Sequence, residues 1–185
     1  MAQQMSPCLV VIDVQQGMLT FRRTLYQSEE MLRRIAGLLE RAREAGVPIF
    51  HVQHDGGPGH ILEKGSIGWP LHSAVQARSG EAIILKRYSS AFHDTDLHQR
   101  LAEAGIDRLV VAGIQTEMCV DSTCRAAVAL VYKVTLALDA HSTFDSPVLA
   151  AEKIIAHHNR TLADGFVDLV SASNVVFGNG FGQQR

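Results

Sequence analysis

Three side chains that can do covalent chemistry stand close behind predicted strands: Asp13, Lys86 and Cys119. A cysteine thiolate is a strong nucleophile, and the first turn of a helix stabilises it through unpaired N–H groups and a positive dipole end. Cys119 lies at the start of a predicted helix, and a nearby Lys86 ammonium would favour the thiolate too. A carboxylate such as Asp13 can move protons. These residue types predict nucleophilic chemistry with Cys119 as the nucleophile.

Each of the three residues also has a structural interpretation. Aspartate after a buried strand is often a helix cap or a turn former. Lysine after a strand is usually a solvated end, and cysteine in a helix rich in Ala and Val is commonly a small core residue. Ligands of open α/β sheets bind beyond the carboxyl ends of the strands. Because Asp13, Lys86 and Cys119 all fall at that edge, one active site is favoured over three separate structural roles.

The elements that position these residues alternate between strands and helices. Leu9–Ile12 is continuously apolar, as in a strand covered on both faces of a parallel sheet. The other predicted strands are short apolar runs: Pro48–Val52, Ala82–Leu85, Leu109–Ala112, Val134–Leu138 and Phe166–Val170. The predicted helices are 29–45, 94–104, 117–130 and 147–163. This alternation predicts an α/β fold, with a parallel sheet between layers of helices.

Two features between strands add detail. Ser28 is expected to cap the helix over residues 29–45, and Gly46 is expected to end it with a left-handed residue. The stretch from His54 to Gly80 is rich in glycine, has no periodicity and is too long for an ordinary connection. We therefore expect that stretch to be a functional loop, placed as a lid over the site.

Length and composition favour a single domain over residues 1–185, with a flexible tail over 178–185. The formal charge of -2 provides no broad basic field for nucleic acid or an anionic membrane. The apolar run that ends at Ile12 is far shorter than the roughly 20 residues of a membrane span, and no basic leader precedes it. We expect neither a nucleic acid nor a membrane partner.

The three cysteines, Cys8, Cys119 and Cys124, are an odd number at spacings that argue against a disulfide framework. Their presence as free thiols predicts a reducing compartment, the cytoplasm. Cys124 lies five residues after Cys119, about 140° further around a helix, so the two cannot share a site. Cys8 and Cys124 are expected to be core thiols.

Four sequence blocks resemble those of the isochorismatase-like cysteine hydrolases, which include nicotinamidases and carbamoylsarcosine amidohydrolase. The nucleophile segment is Leu-Val-Val-Ala-Gly-Ile-Gln-Thr-Glu-Met-Cys-Val-Asp-Ser-Thr-Cys-Arg-Ala-Ala over 109–127. The other blocks are Val-Ile-Asp-Val-Gln (11–15), Leu-Lys-Arg-Tyr-Ser-Ser-Ala-Phe (85–92) and Leu-Asp-Ala (138–140). They occur in the family order and, with the elements between them, cover nearly the whole chain.

The resemblance implies a three-layer α/β/α sandwich whose six-stranded parallel sheet has the order 3-2-1-4-5-6. It implies a homo-oligomer and a catalytic triad of Asp13, Lys86 and Cys119. It also implies a cis peptide between Ile114 and Gln115, which would direct the Gln115 N–H, with that of Cys119, into an oxyanion hole.

The implied reaction is cleavage of a C–N bond in a small amide, ureido or carbamoyl compound through a thioester on Cys119. Asp13 would take the thiol proton, return it to the leaving amine and then activate water, while Lys86 orients Asp13. The expected partners are this amide-like substrate and water. The alternatives are a nicotinamidase-type hydrolase, a vinyl ether hydrolase of the isochorismatase type, and a catalytically silent member that acts in binding or oligomer formation.

Nicotinamidases carry an Asp-x-His motif after strand two that binds a metal, whereas this chain has Gln-His-Asp-Gly over 53–56. Four histidines lie in this region: His51, His54, His60 and His72. Their spacing matches no zinc motif, so we expect hydrogen-bonding roles for them, and neither a metal nor another cofactor.

Aromatic side chains are the candidates for the wall of the substrate pocket. Trp69, the only tryptophan, lies in the predicted lid, and Phe21 and Phe92 are further candidates. An aromatic wall would suit a flat or hydrophobic acyl group, and ordinary packing is the other interpretation of each residue.

Overall fold

All six strands lie in one parallel sheet. The computed structural model describes residues 6–20 and 23–177, so the predicted tail over 178–185 lies outside the described residues. The strands are Pro7–Ile12 (β1), Ile49–His54 (β2), Ala82–Lys86 (β3), Arg108–Ile114 (β4), Lys133–Ser142 (β5) and Asp168–Val170 (β6). Their spatial order is β3-β2-β1-β4-β5-β6, and each neighbouring pair is parallel. The predicted strand order is confirmed.

Helices cover both faces of this sheet. The α-helices are Gln16–Thr20 (α1), Ser28–Glu44 (α2), Leu97–Glu103 (α3), Asp121–Ala129 (α4) and Ala151–Ala163 (α5). Side chains of α2 pack on one face, and side chains of α3, α4 and α5 pack on the other. The three-layer α/β/α arrangement is therefore confirmed. Within the described residues, no helix has both the length and the apolar character needed to cross a membrane.

The central strand β1 is apolar on both sides because both faces of the sheet are covered there. Leu9 and Val11 belong to the core on the α2 side, and Cys8, Val10 and Ile12 belong to the opposite core. All five side chains are fully buried. Complete burial of such an aliphatic side chain contributes about 1.5–3 kcal/mol relative to exposure. The end of β1, where the site begins, is thus anchored in two cores.

The helix α2 begins at Ser28, but this serine does not cap it. Gln27 occupies the capping position with a left-handed φ of 45° and makes no side-chain cap hydrogen bond. Glu29 and Glu30 lie in the first turn, where the helix dipole favours negative charge. Gly46 has the left-handed conformation expected after the helix, with φ 64°.

Two other helices begin later than predicted, for local reasons. Asp94 has a left-handed φ of 54°, which a right-handed helix does not contain, and α3 begins at Leu97. Before α5, the Ser146 hydroxyl accepts a hydrogen bond from the N–H of Leu149 (2.9 Å). Such a local bond competes with helix formation, and α5 begins only at Ala151.

The long segment between β2 and β3 packs on α1, a short helix that the sequence analysis did not predict. The N–H of Gly17 donates to Gly68 O (2.8 Å), and the N–H of Gln16 donates to Pro70 O (2.8 Å). A β-carbon on residue 17 would lie 2.9 Å from a side-chain carbon of Leu62, so glycine permits this close approach. That the segment opens as a lid stays a prediction.

A glycine also permits the close approach of β1 and β4 beside the site, and this generates a test. Gly113 has φ +129°, and a β-carbon there would lie 2.1 Å from Ile12 O. We expect Gly113→Ala to lower the free energy of unfolding by at least about 2 kcal/mol, because the backbone angle and the overlap are both unfavourable. Urea denaturation at neutral pH measures this change.

The matched control for Gly113→Ala is Gly37→Ala in the middle of α2. There the nearest atom to an added β-carbon is Arg41 Nη1 at 3.5 Å, an ordinary contact with a flexible side chain. This variant should gain about 0.5–1 kcal/mol from the better helix propensity of alanine. Wild-type stability of Gly113→Ala would contradict the close approach of the two strands.

Candidate active site

The sheet brings the three predicted residues together at its carboxyl edge. Lys86 is the last residue of β3. Asp13 directly follows β1, with a left-handed φ of 51° that aspartate tolerates, and its N–H donates to Val52 O (3.0 Å). Cys119 lies behind β4 in a π-helical turn, Thr116–Val120. Residues far apart in sequence thus meet because parallel strands end at a common edge.

The ammonium group of Lys86 is the centre of this cluster. Its Nζ lies 2.7 Å from Asp13 Oδ2 and 3.2 Å from Cys119 Sγ. It also lies 3.0 Å from Tyr88 O and 3.3 Å from His54 Nδ1. An ammonium group has three N–H donors, so it cannot donate fully to four acceptors at once. Because the Lys86 side chain is 0% exposed, its donors can be redistributed only among these groups.

Burial and charge keep the Cys119 thiol protonated in the ligand-free protein. Burial raises its pKa, the negative charge of Asp13 raises it further and Lys86 opposes both effects, with a resulting pKa of about 12. The charge and the hydrogen bond of Lys86 lower this pKa, in line with the predicted effect of its ammonium group on the thiolate. Desolvation and the neighbouring carboxylate outweigh them, so the thiolate must be generated during the reaction.

The Asp13 carboxylate is placed to accept that proton. Burial raises the pKa of Asp13, while the charge and hydrogen bond of Lys86 oppose the rise. Asp13 also faces the Cys119 thiol, and its Oδ1 is buried without a hydrogen-bond partner in the described part of the chain. A carboxylate with a raised pKa is a stronger base. The geometry therefore fits proton transfer from Cys119 to Asp13.

His54 completes the surroundings of Lys86 as a neutral imidazole. Burial lowers its pKa to about 4, and the positive charge of Lys86 lowers the pKa as well. Because Nδ1 faces the ammonium group, the ring proton belongs on Nε2. From the sequence, His54 is expected only to form hydrogen bonds. Its position at the carboxyl end of β2 was the signal that it lies in the site.

The turn that carries Cys119 follows a cis peptide bond between Ile114 and Gln115. The N–H of Gln115 has no backbone acceptor among the residues that the structure describes. Gln115 and Cys119 line the same cavity. This N–H is thus available to a ligand, and the oxyanion hole implied by the resemblance stays a prediction.

A buried hydrogen-bond chain holds this turn against α5. Thr116 Oγ1 lies 2.8 Å from His141 Nδ1, and His141 Nε2 lies 2.9 Å from Asn159 Oδ1. Asn159 Nδ2 donates to Leu138 O (3.1 Å), which fixes the amide so that its oxygen accepts from His141. Burial lowers the pKa of His141 to about 4. His141 is therefore neutral at pH 7, with Nδ1 accepting from the Thr116 hydroxyl.

A cavity of about 460 Å³ opens beside Cys119. Its apolar side chains are Met18, Ile61, Leu62, Ile114, Met118 and Phe144. Its polar lining residues are Asp13, Arg23, His54, His60, Ser89, Gln115 and Cys119. This size and mixed lining are typical of small-molecule sites. The segment between β2 and β3 supplies part of the wall, which fits its predicted role as a functional loop.

Of the three aromatic residues predicted for the pocket wall, Trp69 and Phe92 are not among the residues that line this cavity. Phe144 lines the cavity, whereas Phe21 lies outside the described residues. Trp69 is not among the lining residues: its carbonyl oxygen accepts a hydrogen bond from the side chain of Gln53 (2.8 Å). Trp69 thus fixes the long segment through its backbone.

Phe92 also lies away from the cavity lining. Its ring stacks on Tyr132, with ring centres 5.9 Å apart, and packs against the core. A role of Phe92 in the substrate pocket stays a prediction. Met18 was missed because α1 was not recognised, and no periodic signal marked Phe144.

The four histidines of this region do not form a common site. His51 is buried, with its Nε2 2.8 Å from Glu81 Oε2, and His72 caps the following 3-10 turn. His54 and His60 approach each other, with ring centres 6.1 Å apart. Among residues 6–20 and 23–177, no three His, Cys, Asp or Glu side chains are grouped as metal ligands.

The fold and the site define a class of three-layer α/β/α proteins in which a buried lysine joins an aspartate and a cysteine at the sheet edge. Residues 7–164 match the family model of the isochorismatase domain. Because this match covers most of the chain, the protein belongs to the isochorismatase family.

Known proteins and solved structures resemble this chain in sequence and in fold. Streptothricin hydrolase of Streptomyces noursei is 39% identical over 139 residues, which are 75% of this chain and 50% of that protein. Maleamate amidohydrolase of Pseudomonas putida is 32% identical over 131 residues, 62% of each chain. The crystal structure of an isochorismatase-family protein from Oleispira antarctica has a TM-score of 0.88 and 32% identity, covering 96% of this chain and 100% of that one. The chain spans about half the length of the streptothricin hydrolases it matches, 50% and 55%.

The electrostatics of the cluster predict the reactivity of Cys119. Iodoacetamide should label Cys119 selectively, because Cys8 and Cys124 are fully buried. At pH 7, Asp13→Asn should be labelled faster than wild type, since loss of the carboxylate charge lowers the thiol pKa. Lys86→Met should be labelled more slowly, since loss of the ammonium raises that pKa. Peptide mass spectrometry gives the site and the rate.

The control for this labelling is Asp96→Asn, which removes a carboxylate that pairs with Arg100 and is 48% exposed on the surface. It should react at the wild-type rate. Equal rates for wild type, Asp13→Asn and Lys86→Met would contradict the electrostatic coupling of the three groups.

The buried state of His141 predicts a pH dependence of stability. Between about pH 6.5 and about pH 4, unfolded His141 binds a proton that the folded protein excludes, so stability falls as the pH falls. His141→Gln keeps an acceptor toward Thr116 and a donor toward Asn159 but does not titrate. Its unfolding free energy should depend less steeply on pH in this window, by up to about 1.4 kcal/mol per pH unit.

Urea denaturation at a series of pH values measures this slope. His157→Gln, on the exposed surface of α5, serves as the control and should keep the wild-type slope. An unchanged slope in His141→Gln would show that His141 is protonated in the folded protein.

Proposed function

We propose that this protein is a cysteine-dependent hydrolase that cleaves the C–N bond of a small amide, ureido or carbamoyl compound through a thioester. One observation carries the proposal: the buried Lys86 Nζ lies 2.7 Å from Asp13 Oδ2 and 3.2 Å from Cys119 Sγ beside a cavity. A nucleophile, a base and a charge-stabilising group within mutual reach are what covalent catalysis requires. The family membership and the amidohydrolase among the relatives support this reaction class.

In the first half of the reaction, Asp13 takes the proton of the Cys119 thiol as Sγ attacks the carbonyl carbon. The backbone N–H groups of Gln115 and Cys119 donate hydrogen bonds to the developing oxyanion. The tetrahedral intermediate then collapses and the C–N bond breaks. Asp13 gives its proton to the leaving nitrogen, which departs as ammonia or an amine, and the acyl group stays on sulfur.

In the second half, Asp13 takes a proton from water as the water oxygen attacks the thioester carbon. The same two N–H groups donate hydrogen bonds to the second oxyanion. The C–S bond breaks, the acid product leaves, and the sulfur regains its proton from Asp13. The resting state, with a protonated thiol and an ionised carboxylate, is restored.

The positive charge of Lys86 stays beside the negatively charged group of the site before and after the proton transfer. The charge lies on Asp13 at rest and on Cys119 after proton transfer, and Lys86 Nζ contacts both groups. An unpaired charge in the interior would cost several kcal/mol. Burial raises the pKa of the acceptor Asp13 as well as that of the thiol, so the rise at Asp13 opposes the effect of the rise at Cys119 on the proton transfer.

The alternative functions fit the site less well. A vinyl ether has no acyl carbon, so a thiol nucleophile cannot form a thioester with it. A silent binding module has no need for a desolvated Lys86–Asp13 pair beside a cavity, since a buried ion pair is weak evidence for stability. A nicotinamidase-type function is not favoured, because Gln-His-Asp-Gly over 53–56 replaces the metal-binding Asp-x-His motif of nicotinamidases.

Cytoplasmic location and assembly into a homo-oligomer stay predictions.

The proposed mechanism predicts the activity of site variants. Cys119→Ala should abolish the release of ammonia from a panel of small primary amides and ureido compounds. Asp13→Asn should lower kcat/KM by about 10²–10⁴-fold, the usual contribution of a general acid–base group. Hydroxylamine should intercept the thioester as a hydroxamate in wild type and not in Cys119→Ala.

Cys124→Ala serves as the control, because Cys124 is a fully buried core thiol and takes no part in the chemistry. It should retain activity. Amide hydrolysis that persists in Cys119→Ala would contradict the covalent mechanism. Turnover of vinyl ethers alone would favour the isochorismatase-type reaction.

A further inference from the structure

His54 is a residue of the cavity to which the proposed reaction gives no role. It is the last residue of β2 and lines the same cavity as Cys119. The fully buried side chain of Gln15 holds its backbone on both sides. The His54 N–H donates to Gln15 Oε1 (2.8 Å), and Gln15 Nε2 donates to His54 O (3.0 Å). The backbone of His54 is therefore fixed, and its imidazole is the part that a ligand can contact.

The two ring nitrogens of His54 have different surroundings. Nδ1 lies 3.3 Å from Lys86 Nζ, and the Lys86 side chain has no exposure to solvent. Nδ1 thus faces the interior and accepts, and Nε2 carries the ring proton on the side away from Lys86. Within residues 6–20 and 23–177, no acceptor for this Nε2–H is present. A hydrogen-bond donor at the cavity is therefore left for a ligand.

The neighbouring ring of His60 does not occupy this donor. His60 lines the same cavity, with its ring centre 6.1 Å from that of His54. Its Nδ1 accepts the N–H of Leu62 (3.1 Å), so the proton of the neutral ring lies on Nε2. Glycine at position 56 permits this placement, because a β-carbon there would overlap the His60 ring. His60 therefore offers no free lone pair to the Nε2–H of His54.

We propose that His54 is a substrate-binding residue whose Nε2–H donates to an uncharged carbonyl oxygen of the substrate while Cys119 attacks the amide carbon. This oxygen is a second one, distinct from the oxygen that becomes the oxyanion. The inference rests on the proposed function and adds a determinant of specificity to it. The Lys86 ammonium would repel a cationic group at this position, and a neutral ring brings no charge to compensate a carboxylate.

Lys86 both directs this donor and strengthens it. Hydrogen bonds that form a chain polarise one another, so a ring that accepts from an ammonium group is a better donor at its other nitrogen. Burial lowers the pKa of His54 to about 4, and the charge of Lys86 lowers it as well, so the ring is neutral at pH 7. The same Nζ lies 3.2 Å from Cys119 Sγ. A small substrate can therefore contact the donor and the nucleophile together.

Two variants of His54 separate its donor from its acceptor. His54→Asn keeps an oxygen near the position of Nδ1 and has no group at the position of Nε2. His54→Gln can place its amide N–H near the position of Nε2 and has no acceptor near that of Nδ1. If His54 binds substrate, only the asparagine variant loses the contact. If His54 only positions Lys86, only the glutamine variant is impaired.

Binding of two matched compounds measures this difference. Succinamide and butyramide share a four-carbon chain and a primary amide, and differ in a second amide against a methyl group. In Cys119→Ala protein, which forms no thioester, NMR titration should show succinamide binding about five- to tenfold more tightly, the effect of one neutral hydrogen bond. This preference should be lost when His54→Asn is added and retained when His54→Gln is added.

The matched control is His72→Asn in the same Cys119→Ala background. His72 Nδ1 accepts the N–H of Ala74 (3.2 Å), a bond that asparagine can also accept, and His72 is not among the residues that line the cavity. The same substitution outside the cavity should leave the preference for succinamide unchanged.

The outcomes separate this inference from the proposed function. No succinamide binding, equal affinities for the two compounds, or a preference that survives in His54→Asn would each overturn the donor site. Ammonia release by the protein with Cys119 intact is measured on the same two compounds. A preference that depends on His54, without ammonia release from either compound, would keep the donor site and remove the hydrolase. Equal release from both, with no effect of His54→Asn, would keep the hydrolase and remove the donor site.

Discussion

A fully buried ammonium group must be compensated, and the site of this protein is arranged around that requirement. The Lys86 side chain has no exposure to solvent, and desolvating an isolated charge costs several kcal/mol. A carboxylate, a carbonyl, an imidazole and a thiol surround it, from Asp13, Tyr88, His54 and Cys119. These groups come from the ends of three strands and from the turn behind a fourth, so only the assembled sheet provides them.

The same constraint governs where the proton resides. With one positive charge in the interior, one negative charge is stable beside it, and the resting protein places that charge on Asp13. Cys119 is then a protonated thiol with a raised pKa, protected from indiscriminate reaction because the thiolate is the nucleophile. Moving one proton between two groups that both contact Lys86 changes the location of the negative charge without changing the net charge of the site.

The family fold and the cavity wall come from different parts of the chain. Strands β1, β3 and β4 carry the charged cluster, whereas α1 and the segment between β2 and β3 supply much of the wall. Connecting segments can vary while the sheet that they cover stays the same. The wall of the cavity can therefore vary separately from the sheet edge that carries Asp13, Lys86 and Cys119.

The order of strands and helices and the edge at which Asp13, Lys86 and Cys119 meet could be predicted from the sequence, since apolar runs define parallel strands and all such strands end at one edge. Strand order itself came from resemblance. Tertiary structure decided the rest. The backbone of Trp69 binds the side chain of Gln53, and the Phe92 ring packs against the core, because side-chain direction depends on neighbours distant in sequence. The protonation of Cys119 was likewise decided by burial and by its distances from the charges of Asp13 and Lys86, which no local pattern encodes.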